Sequence, residues 1–314
     1  MRDLLTAEQR HGAAAFIGTS VQMINFPIID SHIHLLDRQR FGYSWSSGSS
    51  WATGATKLQR NWTADDLSSY SKPYHVQGFV FIEADVDMPQ YLDEAEWVAS
   101  SAESDSRIMA CVASLPLEKG LAIEPEMARI ASLHRVRGVR RLIQNMQDSA
   151  TILHRDFLDA INLLPKYDLS FDICIDPHQF EHTIEMVERC PSVSFVLDHM
   201  GKPEIKDSRR LDFWRRQIRQ LAALPNVVCK VSGLLTQADH ATWNAEQVLP
   251  FIHHVIEYFG VDRVLFGGDW PVLELAASYR EWVDVVDHAT QLLPNADRRK
   301  IFRDNAIRIY RLDS

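Results

Sequence analysis

Paired cysteines, long apolar runs and an excess of basic charge are all missing from this chain of 314 residues, and each absence closes off a class of protein. No stretch approaches the roughly 18 consecutive apolar residues that a membrane helix needs. The N-terminal segment carries Asp3 and Glu8 early and has only short apolar pieces, unlike a secretory signal. Residues 1–25 are expected to form a polar leader packed across the bottom of the fold. Acidic residues outnumber basic ones, 42 to 33, giving a net charge of −9. Such a surface repels phosphate backbones and anionic lipid, so neither nucleic acid nor membrane is an expected partner. The four cysteines are Cys111, Cys174, Cys190 and Cys229, with no CxxC pair. Three fall in predicted strands, which points to buried free thiols and a reducing, cytoplasmic setting. What is present, 46% hydrophobic and 24% charged residues, suits a globular protein with a sizeable core.

Runs rich in β-branched residues recur at Ile28–Ile33, Gly78–Glu83, Ile108–Ser114, Val136–Leu142, Leu169–Ile175, Val193–Leu197, Val227–Val231 and Val264–Phe266. Between them lie helical patterns at Pro89–Ser101, Leu121–Leu133, Asp156–Tyr167, His178–Cys190, Arg209–Leu224, Ala245–Phe259 and Ser278–Leu293. Thr63 before two aspartates, Asp176 before Pro177, and Gly260 after Phe259 supply start and stop signals. Alternating strands and helices without hairpin signals imply parallel strands and right-handed crossovers. Eight units close most naturally into an α/β (β/α)8 TIM barrel, a single domain over residues 26–314. No glycine-rich dinucleotide fingerprint follows the first strand, which counts against an open doubly wound sheet. The C-terminal IFRDNAIRIYRL is expected as an amphipathic helix on the barrel exterior.

The link after strand one, Leu35 to Trp62, is long and rich in Gly, Ser and Thr, with Trp45, Trp51 and Trp62. A loop of this length in a compact domain usually serves a site, and in a barrel it lies at the mouth, where chemistry is housed. It is read as a substrate-covering loop.

Side chains alternate along a strand, so His32 and His34 in IIDSHIH face the same way, with Ile33 opposed. His199 lies just past strand six in VLDHMGKP, and Asp269 just past strand eight in LFGGDWP. Each residue alone is ordinary: a lone histidine is often a satisfied core group and a lone aspartate a cap. Together, barrel closure brings all four into one pocket, and imidazole nitrogens with a carboxylate oxygen are the donors zinc prefers. Glu83 at the end of strand two can add a carboxylate or be a salt-bridged strand terminus. Arg140 on strand four can hold substrate through its forked donors or simply pack. Trp45 and Trp270 are candidate apolar walls, and His240 a candidate substrate contact.

The segments IIDSHIHLLD, LDHMGKP and LFGGDWPV resemble the signature segments of the amidohydrolase superfamily, in its sugar-lactonase and pyrone-dicarboxylate lactonase branch. The resemblance continues through VRGVRRLIQ, FDICIDPHQF and NVVCKVSGLLTQAD, covering almost everything after Phe26. It implies that His32, His34, His199 and Asp269 hold the family's site positions and that a lactone such as L-fuconolactone or L-rhamnonolactone is opened to its acid. Asp269 would be the general base, and one divalent ion, zinc foremost, the cofactor, although the branch also includes metal-independent relatives. Two positions depart from the pattern. Gly268 stands where the branch commonly has Ser, and Arg140-Arg141 where it often has Arg-His. Strand four carries no Lys to bridge two metals, and Lys230 lies on strand seven, so a binuclear centre is not expected. A non-oxidative decarboxylase of an unsaturated or aromatic acid, and a catalytically silent ligand-binding barrel, are the other readings; self-association is left open.

Overall fold

The computed structural model describes residues 24–48 and 56–313. Residues 1–23 of the proposed leader and Trp51 lie outside them. Eight parallel strands pair in chain order: β1 (Ile28–Ile33), β2 (Val76–Ile82), β3 (Ile108–Ser114), β4 (Val136–Leu142), β5 (Ser170–Cys174), β6 (Phe195–Leu197), β7 (Val227–Val231) and β8 (Val264–Phe266). The ring closes at the mouth. Ile33 bridges Trp270 in parallel, Asp269 N donates to the His32 carbonyl at 2.8 Å, and His34 N donates to the Trp270 carbonyl at 2.8 Å. This is the (β/α)8 barrel read from the sequence, and closure itself positions two of the candidate residues.

Helices form where apolar spacing and caps agree. Ala245–Phe259 begins at an Asn244/Gln247 capping box and ends at Gly260, whose φ of 72° suits glycine. Its buried Val248, Phe251, Ile252, Val255 and Phe259 form one stripe against the barrel. Thr63 and Asp176 also make capping boxes, with Asp66 and Gln179. Elsewhere the elements are shorter than the pattern suggested. The segment expected as Leu121–Leu133 splits into a 3-10 turn, Leu117–Ile123, and a helix, Glu124–Ala131, because Pro125 has no N–H to continue a helix through it. β6 begins at Phe195 because Val193 N turns back to the Cys190 carbonyl.

The barrel interior is layered. Ile29, Val80, Ile82, Ala110, Val112, Val196, Val228 and Leu265 pack together in its lower half. Tyr310 and Leu312 join that same cluster, so the C-terminal segment does not merely lie on the exterior as expected; it plugs the barrel. Above the apolar layer the inward positions turn charged, with Arg140, Asp172, Asp198 and Lys230 all buried.

β1 contains an irregularity on which the site depends. Ile28 packs in the outer core and Ile29 in the interior cluster, so strict alternation would send His32 outward. Instead Asp30 pairs with Phe79 and Ile33 with Phe81, three steps against two, which is a bulge that reverses the parity. Asp30 Oδ1 accepts from His32 N at 2.8 Å and Gly268 N at 2.9 Å, filling the donors that the bulge frees.

Tyr310 is fully buried, and its hydroxyl donates to Asp172 Oδ2 at 2.7 Å. Tyr310→Ala is expected to lower stability by about 3–5 kcal/mol, as for a large aromatic lost from a core. Urea unfolding should show it; a midpoint equal to wild type would contradict the plug.

Candidate active site

Each of the three histidines has its Nδ1 engaged on the outer side. His34 Nδ1 lies 2.8 Å from the Ile82 carbonyl, which can only accept, so it carries the proton there. His199 Nδ1 lies 2.9 Å from Ser232 Oγ. His32 Nδ1 stands 3.3 Å from Asp198 Oδ1. The three Nε2 atoms are therefore left to face one point: they lie 3.7 Å (His32), 3.5 Å (His34) and 4.0 Å (His199) from a single oxygen, Asp269 Oδ1. His32 Nε2 is buried with no hydrogen-bond partner.

Electrostatics sharpen the picture. Burial holds His32 well below the ordinary imidazole value of 6.5, and lowers His199 to about 4. Burial alone would raise Asp269, but the surrounding histidines, His199 foremost, outweigh it and hold the carboxyl far below its usual range. The centre thus holds Asp269 as a carboxylate, while burial disfavours the charged forms of His32 and His199. A carboxylate oxygen and the unpartnered His32 Nε2 meeting in a buried place call for a cation or a shared proton between them. His32, His199 and Asp269 bring their ligand atoms within 4.8 Å of one another, a grouping able to hold a metal ion. The spacing fits: ligand atoms about 2.0–2.2 Å from a tetrahedral zinc stand about 3.4 Å apart.

Beneath the histidines the charged layer is joined by ion pairs. Lys230 Nζ lies 2.6 Å from Asp172 Oδ2, 3.0 Å from Asp198 Oδ1 and 3.3 Å from His32 Nδ1. Arg140 reaches Asp198 Oδ2 at 3.2 Å and Glu83 Oε1 at 2.6 Å. Burial opposes the Asp198 charge, yet Lys230, then His32 and Arg140, pull its carboxyl well below the usual range. Asp198 is therefore an anion available to take the His32 Nδ1 proton, the arrangement by which carboxylates orient metal-binding histidines. Asp172, Asp198 and Lys230 were not among the sequence candidates. A signal existed, since each is a charged residue at the end of, or inside, an apolar strand.

The other candidates divide. Glu83 is not one of the converging groups: its oxygens are taken by Arg140 Nε and by the Asp85 amide at 2.8 Å, so it serves as the strand-end salt bridge. Arg140 lines the cavity above the site, but its Nε, Nη1 and Nη2 are all bonded within the protein. Trp45 lines the cavity and anchors its indole N–H on the Ala84 carbonyl at 2.9 Å. Trp270 is fully buried with its ring 4.9 Å from Trp62, behind the mouth; Pro271, Val272 and Leu275 supply the apolar wall in its place. His240 is on the cavity rim, its Nε2 3.1 Å from the Thr236 carbonyl. The cavity measures about 350 Å³ and has His34, His199 and Asp269 on its floor, small-ligand dimensions.

Gly268 has a structural explanation. A Cβ there would stand 2.6 Å from Asp30 Oδ2 and 2.7 Å from the Tyr279 ring. Tyr279 Oη instead donates to Asp30 Oδ2 at 2.8 Å. The tyrosine thus occupies the space beside Gly268 and gives Asp30 a hydroxyl donor.

With this geometry in place, the known proteins it matches can be set beside it. The amidohydrolase family profile matches residues 29–312, and the chain belongs to that family. An L-fucono-1,5-lactonase of Burkholderia multivorans is 30% identical over 300 residues, spanning 90% of this chain and 96% of the relative. An L-rhamnono-gamma-lactonase of Scheffersomyces stipitis is 26% identical, spanning 92% of this chain and all of the relative. The crystal structure of a Burkholderia multivorans amidohydrolase with bound zinc superposes with a TM-score of 0.81 at 28% identity, covering 92% of this chain and 100% of the other. Its place is in the branch of the amidohydrolase superfamily that contains the sugar lactonases.

Gly268→Ser is expected to destabilise the fold by about 1–3 kcal/mol through overpacking, and Gly268→Ser with Tyr279→Ala by less than the sum of the two single changes. Thermal unfolding of the four proteins forms the cycle; strict additivity would show that the two positions do not share the space.

Proposed function

We propose that this protein hydrolyses an uncharged sugar lactone of the L-fuconolactone or L-rhamnonolactone class to the aldonic acid, with Asp269 as general base and one divalent ion, zinc foremost, held by His32, His34, His199 and Asp269. The observation that carries the reading is the meeting of three histidine Nε2 atoms with one carboxylate oxygen at a small-ligand cavity.

When bound, the ion supplies Lewis acidity toward the lactone carbonyl and lowers the pKa of attacking water. The residues do the rest. His34 and His199, each fixed through its outer nitrogen, keep their Nε2 atoms aimed at the floor of the cavity. Asp269, held in its ionised form, receives a proton from the attacking water and passes it to the ring oxygen as the C–O bond breaks. Its backbone is held from both sides of the closed ring: its N–H donates to the His32 carbonyl, and its φ of 53° aims the side chain back into the mouth. Asp198, 3.3 Å from His32 Nδ1, holds the ring with Nε2 toward Asp269. Trp45, above the floor, limits the water that reaches the ring. The family names of the relatives, the shared barrel and the donor set all point the same way.

Wild-type enzyme is expected to release acid from L-fuconolactone or L-rhamnonolactone in a pH-indicator assay, and to release no carbon dioxide from aromatic acids. Asp269→Asn and His199→Ala should each lower kcat at least about 100-fold, the scale of losing one placed polar group. Near-normal turnover in either variant would remove that residue from the mechanism. Asp198→Asn should weaken metal retention by about 10- to 100-fold while the fold persists, as for other groups that orient a liganding histidine. Metal content after graded chelation measures this, and unchanged retention would contradict the orienting role.

A further inference from the structure

After β6 the backbone makes a turn of opposite hand. His199, Met200, Gly201 and Lys202 have φ of 54°, 54°, 65° and 50° in succession. Three of them are not glycine, and each such residue costs of the order of 1 kcal/mol of strain. The turn is held from outside. Trp214 Nε1 donates to the Met200 carbonyl at 2.8 Å, and the Phe180 ring abuts Gly201 so closely that a Cβ there would meet Cζ at 2.2 Å. One consequence is that two residues three apart face the same cavity from different sides: His199 on its floor, and Lys202 on its wall.

Lys202 does not stand alone on that wall. Its ammonium donates to Gln144 Oε1 and lies 3.7 Å from Asp176 Oδ1. Gln144, Asp176 and Lys202 all line the cavity. Ammonium donors, an amide with both donor and acceptor, and a carboxylate acceptor are what a row of hydroxyls requires, because each hydroxyl both donates and accepts. The facing wall, Leu36, Pro271, Val272 and Leu275, has no side-chain polar atom to offer and suits the C–H face of a ring. Arg140, the other cation at the cavity, is spent on Glu83 and Asp198.

We propose that Lys202, with Gln144 and Asp176, is the subsite that reads the ring hydroxyls and makes this pocket select polyhydroxylated, uncharged lactones over both bare and anionic rings. The proposal rests on the lactonase reading above and adds the residues that set its selectivity. A substrate carboxylate on this wall would meet Asp176 with a single partly neutralised cation beside it. A bare ring would leave Lys202, Gln144 and Asp176 with nothing new to bind, so hydroxyls alone gain from the wall.

The test compares L-fuconolactone with δ-valerolactone, which has no hydroxyls, in wild type, Lys202→Met and Asp176→Asn. Asparagine caps a helix as well as aspartate does, so the second variant removes a charge and keeps the turn that Asp176 caps. Both variants are expected to raise KM for L-fuconolactone about 10- to 100-fold with kcat changed far less. The ratio of kcat/KM between hydroxylated and bare ring should fall at least tenfold. An equal loss on both rings, or a loss confined to kcat, would overturn the subsite. So would an unchanged ratio. Calorimetric titration with the lactam analogue of L-fuconolactone runs beside the kinetics and needs no turnover. Wild-type binding that is lost in Lys202→Met supports the subsite even if no lactone is cleaved, an outcome that would instead count against the hydrolase reading. Equal lactam binding in wild type and variant would overturn it.

Discussion

An imidazole presents a lone pair inward only while something outside holds its other nitrogen. The whole site follows from satisfying that condition three times, with three different partners. A carbonyl holds His34, a hydroxyl holds His199, and a buried carboxylate holds His32. The last is the expensive one, because an anion beneath the mouth of a barrel must itself be compensated. Lys230 and Arg140 do so, and Asp172, Glu83 and Tyr310 complete the set. Removing one member of such a network exposes an unpaired buried charge, whereas the intact network adds little net stability. Its value lies in orientation.

The same network links the two ends of the barrel. Tyr310 plugs the apolar lower layer and also donates to Asp172, which pairs with Lys230, which faces His32. The C-terminal segment, remote in sequence and on the face opposite the chemistry, is thus one end of the chain of contacts that fixes a site histidine. Conservation of barrel-bottom residues usually speaks of stability; here stability and site geometry share atoms.

Backbone irregularity is concentrated where function is. The bulge in β1, the left-handed run from His199 to Lys202 and the positive φ of Asp269 all occur at strand ends that carry site residues. Regular strands alternate strictly, and strict alternation starting from Ile29 would have turned His32 outward. Asp30 stabilises the exception, accepting from two backbone amides and from Tyr279. Gly268 leaves room for that tyrosine.

Much of this was legible before any coordinates. Eight β-branched runs alternating with helical periodicity are local patterns, and they pointed to the barrel and to His32, His34, His199 and Asp269 as residues that its closure brings together. What local pattern does not carry is which buried charges find each other. Glu83 had equal claim to be a ligand or a salt bridge until Arg140, 57 positions away, was placed against it. Trp270 read as a substrate wall until Trp62 covered it, and Asp198, Asp172 and Lys230 are single letters in three different strands until barrel closure stacks them. Side-chain periodicity is a property of neighbours along the chain; pairing across a closed ring depends on separation in space, and only the tertiary structure decided that.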